Sequence, residues 1–526
     1  MYRTLNRAQK LERIRNHARP WDMIIIGGGA TGAGVAVDAA ARGYEVVLLE
    51  QSDFGKGTSS RSTKLVHGGV RYLERGDVPL VMEALRERGI MRRNAPHLVS
   101  DLAFVVPVYA WWEGPFYGAG LRMYNILAGK YGFGKSRNLS KEKTLAALPT
   151  IRREGLRGGV IYYDGQFDDM RFLISLLQTA AEQGATLLNY VQVTDLKRGR
   201  EGVVDGVVAR EVESGETLQL QGRVVINATG AFVDAIRTMA EPKALPMIAP
   251  SQGIHLVFDK SFLPGNRAIM VPHTSDGRVM FAIPWNGHTL IGTTDTPIST
   301  PTLDPVPLER EIDFILQTAS LYLHKAPSRR DVLSMFAGIR PLVKVGNGRD
   351  TAALSRDHTI RVDESGLLTI TGGKWTTYRN MAEDCVNHAA MLGGLDEKSC
   401  VTKELNIHGY LQHAERLGHL SVYGSDATAL LQLSQDAPHL GERLHPALPY
   451  TAAQVVWAVR HEYARTLDDV LSRRTRATFL NVRAALEMAP RVAALMAEEL
   501  ERDADWQLQQ LESFRALARG YLPDGL

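Results

Sequence analysis

The pattern of hydrophobic and polar positions is clearest at residues 21–50, where it predicts a strand, a helix and a second strand. Residues 23–26 are apolar and mostly β-branched, as in a strand that is buried on both faces. An alanine-rich helix follows and ends at Gly43, since glycine is common just after a helix. Residues 46–49 are again short and apolar. This order predicts a β-α-β unit within a parallel sheet.

Three glycines and one carboxylate give this unit a specific chemistry. Gly27, Gly29 and Gly32 form G-x-G-x-x-G, which permits a tight turn, close approach of a pyrophosphate and close packing of helix on strand. Glu50 stands about twenty residues further on, where an acidic side chain binds a ribose hydroxyl. The sequence therefore predicts a dinucleotide site, because an ordinary glycine turn leaves the carboxylate unexplained.

The spacing of hydrophobic positions changes in later segments and predicts two further structural units. Strand-like runs dominate residues 251–354 and are separated by turns at 276–277 and 286–287, which predicts a mixed or antiparallel substrate domain. Residues 367–390 repeat the order strand, glycine turn, helix. From about residue 403 the pattern is helical with very little strand. Other predicted elements are helices at 78–91 and 169–183, a strand at 103–109, and a buried strand at 223–230 that returns to the first sheet.

The predicted fold class is α/β, with a lead-in and three domains, two of which are made from several segments. They are a basic N-terminal lead-in at 1–20; a Rossmann-like dinucleotide-binding domain from 21–105, 151–235 and 355–395; a β-rich substrate domain from 106–150 and 236–354; and a helical C-terminal cap at 396–526.

Composition and charge exclude several classes of protein. The chain has 526 residues, 44% hydrophobic and 23% charged, and its net charge of +3 is too small to indicate a nucleic-acid partner. Cys385 and Cys400 alone cannot build a disulfide framework or a metal site, so we expect structural thiols in a reducing compartment. We expect neither a signal peptide nor a spanning helix, because charges interrupt the apolar stretches. This predicts cytoplasmic residence and leaves room for a protein on the membrane surface.

Two segments carry opposing interpretations. The basic residues of 1–20, with a thin apolar stripe at Leu11 and Ile14, are typical of a solvated helix or of a helix that binds anionic lipid. The segment from Trp111 to Lys135 interleaves aromatic and basic residues. It suits the headgroup zone of a bilayer or ordinary packing under a loop. The segment contains the aromatic residues Trp111, Trp112, Phe116, Tyr117, Tyr124 and Tyr131 among others, and the basic residues Arg122, Lys130 and Lys135.

The glycine fingerprint alone does not separate NAD from FAD. Three remote segments, at 58–69, 228–230 and 372–377, also have the composition of cofactor contacts. A long molecule that passes through the core explains this scatter better than a nicotinamide dinucleotide across one crevice. The helix that begins after Gly373 would place its N–H groups near a reduced flavin ring. The spacing therefore favours FAD.

Five segments taken together closely resemble the FAD-dependent glycerol-3-phosphate dehydrogenases, within the wider glycine-oxidase-like flavoprotein family. They are TSSRSTKLVHGGVRYLE, FAGIRPL, SRDHTI, TGGKWTTYR and RHEYARTLDDVLSRRTRA, and the similarity runs from about Trp21 to Leu517. The resemblance implies noncovalent FAD and oxidation of sn-glycerol 3-phosphate to dihydroxyacetone phosphate. It also implies transfer of electrons to a membrane quinone, and peripheral attachment to the inner face of the membrane. A homodimer is left open.

Three alternatives are kept beside this function. Related oxidases use oxygen as the acceptor and usually carry a long insertion, which this chain lacks. An amine or amino-acid oxidase of the same superfamily would need one carboxylate-binding arginine rather than several cations. A catalytically silent flavoprotein that acts as a binding module is the non-enzyme alternative.

The resemblance also assigns residues to roles. His255, Arg340 and Lys374 match catalytic positions, and Arg71, Tyr72 and Arg356 match substrate-binding positions. Thr58 is a weaker candidate for cofactor contact. The expected cofactor contacts are Gly27, Gly29, Gly32, Glu50, Ser59, Ser60, Lys64, His67, Gly68, Gly230, Gly373 and Thr376.

Physical arguments weigh the charged candidates. His255 is a general base or a satisfied core histidine, since it lies among apolar strand residues. Arg340 between apolar neighbours needs an anion, which is the substrate or a structural carboxylate. Lys374 at a helix start needs a facing anion, either phosphate or reduced flavin. Asp357 beside Arg356 offers an internal ion pair. The run RRTRATFL from Arg473 is predicted to dock the cap onto the catalytic body.

Overall fold

The structure is a computed structural model that describes residues 6–74, 76–199, 201–272, 274–275, 277–344 and 358–524, with the backbone alone of Arg71 and Glu74. The strands are β1 Trp21–Ile26, β2 Val46–Leu49, β3 Leu65–Val66, β4 Val99–Val108, β5 Arg137–Ser140, β6 Gly158–Phe167, β7 Thr186–Leu188, β8 Val191–Arg198, β9 Val204–Glu211, β10 Thr217–Asn227, β11 Ile248–Asp259, β12 Arg267–Val271, β13 Met280–Trp285, β14 His288–Gly292, β15 Thr296–Pro297, β16 Val332–Val343, β17 His358–Val362 and β18 Leu368–Gly372. The helices are α1 Arg7–Arg15, α2 Ala30–Ala41, α3 Val70–Glu74, α4 Val78–Asn94, α5 Glu113–Ala128, α6 Lys141–Ala147, α7 Asp169–Glu182, α8 Val233–Ala240, α9 Glu309–Tyr322, α10 Tyr378–Leu392, α11 Ala427–Asp436, α12 Ala452–His461, α13 Ala477–Leu480, α14 Val482–Leu500 and α15 Ala504–Ala518.

The first sheet is the nucleotide-binding sheet that the opening pattern predicts. Its strand order is β17-β18-β10-β1-β2-β7, and β8 and β9 extend it beside β10. The strands from β18 to β7 run parallel, while β17 pairs antiparallel with β18. The apolar runs of β1 and β2 are buried, and α2, α7 and α10 supply the core on one face of the sheet. The carboxyl ends of β1, β10 and β18 therefore meet at one edge, where α/β sheets bind ligands.

The second sheet covers that edge and is larger than the sequence predicts. Its order is β15-β11-β14-β13-β12-β4-β6-β3, with β16 on β11 and β5 on β6. The domain boundary predicted at residue 105 falls inside β4, and β6 lies within the segment 151–235 that was assigned to the first domain. Both strands pair with substrate-domain strands, so the sheet topology corrects those boundaries. The predicted turn at Asn286–Gly287 is present, with positive φ at both residues.

Buried ion pairs dock the helical C-terminal region onto the two sheets. Arg474 donates both terminal nitrogens to Asp53, at 2.7 and 2.8 Å, and neither side chain is exposed. Arg476 donates to Asp169 at 3.1 Å from the same turn. The prediction that this charge run docks the cap onto the catalytic body is confirmed.

The N-terminal helix α1 is packed against the protein, which corrects the expectation of a solvated lead-in. Leu11 and Ile14 are buried in one cluster with Trp21. Arg7 donates to Glu211 at 2.6 Å. The apolar stripe and this basic residue are thus engaged within the chain, and the lipid-binding alternative for the helix loses its apolar face.

Helix α5 divides the aromatic segment into a buried and an exposed face. Tyr117, Leu121 and Tyr124 are buried against the second sheet. On the other face Ile126 is 78% exposed, and Trp111, just before the helix, is 77% exposed. Ordinary packing therefore holds for the buried face, while the headgroup-zone interpretation of the exposed face stays a prediction. Within the described ranges, no helix has the length and hydropathy needed to cross a bilayer.

Candidate active site

A glycine cradle lies at the carboxyl edge of the first sheet. It lines an elongated cavity of about 340 Å³ together with segments after β2, β10 and β18. Gly27 has φ of +110°, and a Cβ there would come within 2.7 Å of the Ala228 carbonyl oxygen. A Cβ on Gly32 would overlap the Gly27 carbonyl. Both glycines are therefore required by close backbone packing, as the fingerprint predicts.

Glu50 lies at the wall of this cavity, where the sequence places it. Its carboxylate accepts the backbone N–H of Gly28 at 2.7 Å and of Ser52 at 2.9 Å. Burial raises the pKa of Glu50, although these two hydrogen bonds oppose the shift. Ser59 accepts the N–H of Ala30, the first residue of α2, at 2.9 Å. Acceptor oxygens and a helix N-terminus thus line the same cavity.

A second cavity of about 350 Å³ joins the first at the glycine turn after β18. Gly372 and Gly373 have φ of +80° and +68°, a conformation that glycine adopts readily. Lys374 follows this turn and lines both cavities. The floor of the second cavity is the inner face of the second sheet. Of the predicted residues, His67, Tyr72, His255, Arg340, Gly373, Lys374 and Thr376 line it.

His255 lies on β11, directly opposite Phe336 on β16 and Gly292 on β14. The imidazole is 2% exposed and stacks on Phe336, with ring centroids 4.9 Å apart. A Cβ on Gly292 would overlap the ring, so glycine is needed to seat it. Burial lowers the pKa of His255 well below its usual range, and Lys64 and Arg340 lower it further. The imidazole is thus neutral and able to accept a proton.

Arg340 lies on β16 opposite Ser251 and reaches into the same cavity. Its Nη2 donates to the Thr293 hydroxyl at 3.1 Å, and its Nη1 is 3.4 Å from Asp295. Gly253 leaves room for the guanidinium, which a Cβ there would overlap. The side chain is 24% exposed and its guanidinium lines the cavity, where it can contact a ligand anion.

Lys374 and Tyr72 face one another across the second cavity. The Lys374 ammonium lies 4.0 Å from the Tyr72 ring centroid, a cation–π distance. Lys374 has an extended backbone and immediately precedes the turn that leads into α10. The cation therefore stands at the junction of the two cavities.

Four of the predicted cofactor residues line neither cavity. Lys64 is fully buried and donates to Asp169 at 2.6 Å and to the Ser60 carbonyl at 2.8 Å. Burial lowers the pKa of Lys64 to about 7, while the Asp169 carboxylate opposes that shift. Gly68 donates its N–H to the Tyr124 hydroxyl at 2.7 Å. Ser60, Lys64 and Gly68 therefore stabilise the segment 58–69 through contacts outside both cavities. Gly32 permits the close packing of helix α2.

Two predicted substrate residues are not placed by the structure. Arg356 lies outside the described residues, and Arg71 is described through its backbone in α3 alone. Both stay predictions from the sequence.

The second cavity also contains residues that the sequence analysis missed. Arg278 donates to the Asp295 carbonyl at 2.8 Å, and its guanidinium lines the cavity near Arg340. Thr63 is hydrogen-bonded to His255 at 2.9 Å. The signal for Arg278 was its place after the turn at 276–277, a loop position beside the strand that leads to the cavity. Thr63 carried no signal, because its partner is 192 residues away.

The two joined cavities fit an elongated flavin dinucleotide. The first supplies the glycine cradle, a carboxylate and the N-terminus of α2, which suit a pyrophosphate and a ribose. The second supplies cations and a neutral imidazole beside the turn at Gly373. The residues that line the two cavities therefore match FAD better than a cofactor confined to one crevice.

Comparison with known proteins agrees with this geometry. Residues 22–379 match the family model described as FAD dependent oxidoreductase, and residues 368–507 match the C-terminal domain of alpha-glycerophosphate oxidase. The chain is 43% identical to a Caenorhabditis elegans protein named probable glycerol-3-phosphate dehydrogenase, mitochondrial, over 94% of this chain and 73% of the relative. It is 40% identical to the Bos taurus protein named glycerol-3-phosphate dehydrogenase, mitochondrial, over 94% of this chain and 72% of that relative.

A solved structure extends the similarity to the fold. The glycerol-3-phosphate dehydrogenase from Bacillus halodurans complexed with FAD is 30% identical, with a TM-score of 0.80, and the match covers 99% of this chain and 98% of that one. Sequence, fold and cavity chemistry agree, and the chain belongs to the family of FAD-dependent glycerol-3-phosphate dehydrogenases.

Proposed function

We propose that this chain oxidises sn-glycerol 3-phosphate to dihydroxyacetone phosphate with noncovalent FAD and passes the electrons to a membrane quinone. One observation carries the proposal: Arg340 and Lys374 line the same cavity as a neutral, buried His255, next to the glycine cradle. FAD, when bound, supplies the acceptor for the hydride that leaves the carbinol carbon. The side chains of this chain must hold the phosphate and take the hydroxyl proton.

The phosphate dianion is assigned to the cations of the second cavity. Arg340 and Lys374 come from different elements, β16 and the turn after β18, and Arg278 adds a third cation. Guanidinium groups bind phosphate through paired N–H donors, while an ammonium acts as a point charge. We also assign Arg71 and Arg356 to the phosphate, from their match to the family's motifs. Several cations fit a dianion better than the single carboxylate of an amino acid.

The hydroxyl proton is assigned to His255. Its lowered pKa keeps the imidazole neutral at physiological pH, so that a lone pair is available. The same low pKa makes it a weak base, and hydride loss from the adjacent carbon must therefore assist proton removal. His255→Gln should lower kcat by about 100-fold or more.

Anaerobic mixing tests the activity directly. The FAD-loaded protein should lose its visible flavin absorbance with glycerol 3-phosphate and keep it with glycerol, which lacks the phosphate. Bleaching by an amino acid, or no bleaching by any substrate, would contradict the proposal. Reoxidation by a quinone faster than by air supports the quinone acceptor, whereas the opposite order assigns the chain to the oxygen-using oxidases.

The noncovalent state of the flavin has its own test. His67 lines the second cavity and is the side chain to which a covalent bond would be made. Acid precipitation of the loaded protein should release all yellow colour into the supernatant. Colour that stays in the pellet would show a covalent link and overturn this part of the proposal.

Attachment to the inner face of the membrane is assigned to helix α5. Its outer face exposes Phe116, Met123 and Ile126, and Trp111 and Trp112 are exposed just before the helix begins. The neighbouring Arg122, Lys130 and Lys135 are exposed as well. Aromatic and apolar side chains flanked by cations suit the headgroup zone of an anionic bilayer. A protein held there meets a quinone, which is confined to the membrane.

A further inference from the structure

The contacts of His255 raise the question of how its imidazole reaches the substrate. Nδ1 is buried and has no hydrogen-bond partner among the described residues. One ring face packs on Phe336, and Cδ2 lies against Gly292. Nε2 is 2.9 Å from the hydroxyl oxygen of Thr63. Thr63 itself lines the second cavity. His255 lines this cavity as well, and Nε2 is the ring nitrogen that contacts a hydroxyl group of the cavity wall.

The position of Thr63 is fixed from both sides by one carboxylate. Ser62 donates its N–H and its hydroxyl to Asp169, at 3.1 and 2.7 Å. Lys64 donates to the same carboxylate oxygen at 2.6 Å. Arg476, from the C-terminal region, donates to the other oxygen at 3.1 Å. These buried contacts hold the loop, so the Thr63 hydroxyl stays beside the imidazole.

We infer that the Thr63 hydroxyl relays the proton of the substrate's carbinol group to His255 Nε2. The substrate O–H bond breaks as its proton binds the Thr63 oxygen, while the proton of Thr63 passes to Nε2. The carbinol carbon loses its hydride to the flavin, and the C–O bond becomes a carbonyl. The products are a ketone, an imidazolium and a reduced flavin, and Thr63 is unchanged. The inference rests on the proposed role of His255 as the base.

The relay requires a defined tautomer of His255. Nε2 must accept a hydrogen bond from Thr63, and the neutral ring must then carry its proton on Nδ1. Protein labelled with ¹⁵N-histidine, loaded with FAD and free of substrate, reports this directly. The His255 resonances are assigned by their loss in His255→Asn. An Nε2 shift of an unprotonated acceptor nitrogen is expected, and a protonated Nε2 would overturn the relay.

Kinetics of a matched pair of variants test the same point. Thr63→Val keeps the volume and removes the hydroxyl, so kcat should fall by about 100-fold, with KM changed by less than about threefold. Thr63→Ser keeps the hydroxyl and should stay within about fivefold of the original kcat. Bound FAD and the thermal midpoint should be the same in both. A Thr63→Val protein with full kcat, or a Thr63→Ser protein as slow as Thr63→Val, contradicts the relay.

A third variant separates this inference from the proposed role of His255. If His255→Gln keeps full turnover, the base assignment fails and the relay fails with it. If His255→Gln loses turnover while Thr63→Val keeps it, the base assignment stands and the relay alone is wrong.

Discussion

Lysine and arginine side chains have two different roles in this chain, structural and ligand-binding. The groups that surround each cation decide which role it has. Lys64 and Arg474 are buried against Asp169 and Asp53 at hydrogen-bond distance. Arg340 also lies 3.4 Å from Asp295, but both Arg340 and Lys374 line the second cavity. A buried cation needs a carboxylate nearby, because desolvation costs several kcal/mol. A cation at a cavity wall remains able to bind a ligand anion.

Replacement of the cations in the second cavity should lower kcat/KM for the substrate without reducing the amount of bound FAD. Lys374→Met and Arg340→Met each remove a charged contact worth about 1.5–3 kcal/mol, so kcat/KM for glycerol 3-phosphate should fall roughly 10- to 100-fold. Steady-state kinetics and the flavin spectrum measure the two effects. Lys243→Met, at an exposed lysine, is the control. Loss of bound flavin in both cavity variants would place these residues in cofactor retention.

A single methyl group should abolish the cofactor site. In Gly32→Ala the added Cβ overlaps the Gly27 carbonyl, which is backbone and cannot move aside cheaply. The purified variant should contain less than about a tenth of the usual FAD, because helix α2 can no longer pack on β1. Gly120→Ala is the control, since a Cβ there meets nothing within 4 Å. Normal FAD content in Gly32→Ala would contradict the cradle.

At the scale of elements, helix α5 shows how one segment serves the core and a surface at once. Tyr124 is buried, and its hydroxyl accepts the Gly68 N–H and donates to Asp164 at 2.7 Å. The opposite face exposes large apolar side chains. Exposed patches of this kind mark interaction sites more often than scattered single residues do.

Polar replacements on the outer face of α5 should release the protein from lipid. A variant with Trp111→Ser, Phe116→Ser and Ile126→Ser loses roughly 1.5–3 kcal/mol of burial per residue, so binding to vesicles with anionic lipid should fall at least 100-fold. Sedimentation with vesicles measures it. Leu508→Ser, which is 60% exposed on α15, is the control. Turnover with a soluble artificial acceptor should be unchanged, and unchanged sedimentation would remove α5 from the membrane proposal.

At the scale of the whole molecule, buried charges hold the C-terminal region against both sheets. Arg474→Met removes one of the two arginines that pair with Asp53 in the interior and leaves Arg473, which should cost about 1.5–3 kcal/mol. Arg460→Met removes a pair with Glu499 at the surface, where Arg460 is 49% exposed, and should cost less than about 1 kcal/mol. Thermal unfolding compares the two. Equal midpoints would show that the buried pairs do not hold the region in place.

His408 should make the packing of the C-terminal region against the rest of the protein depend on pH. Burial lowers its pKa, but hydrogen bonds to Asp426 and Glu182 outweigh burial and raise it from 6.5 to about 9. Between pH 6.5 and about pH 9, His408 therefore keeps a proton in the native state that it loses in the unfolded state. The contribution, roughly 3 kcal/mol, is fully present below pH 6.5 and is lost as the pH rises through about 9.

The measurement compares thermal midpoints at about pH 6 and pH 9.5. The original chain should lose more stability over this range than His408→Gln, which has no titrating ring. His439→Gln, at an exposed histidine, should behave like the original. A pH dependence that is identical in His408→Gln and the original would show that the contact does not titrate.

The sequence alone determined the features that depend on near neighbours. The β-α-β unit and the family were predicted and are confirmed, and the predicted Gly27, Gly29 and Glu50 line one cavity. The unit and its glycines rest on residues within about thirty positions, where strand, turn and helix periods are visible, whereas the family rested on motifs spread along the chain. The hairpin at Asn286–Gly287 was found for the same reason.

Only the tertiary structure decided which charged and polar groups meet. Lys64 was expected at the cofactor and instead pairs with Asp169, which is 105 residues away. The partners Thr63 and His255 are 192 residues apart. β6 and most of β4 were assigned to the first domain, but both strands belong to the second sheet. Such pairings are set by burial and by the packing of whole elements, and no local period of the sequence records them.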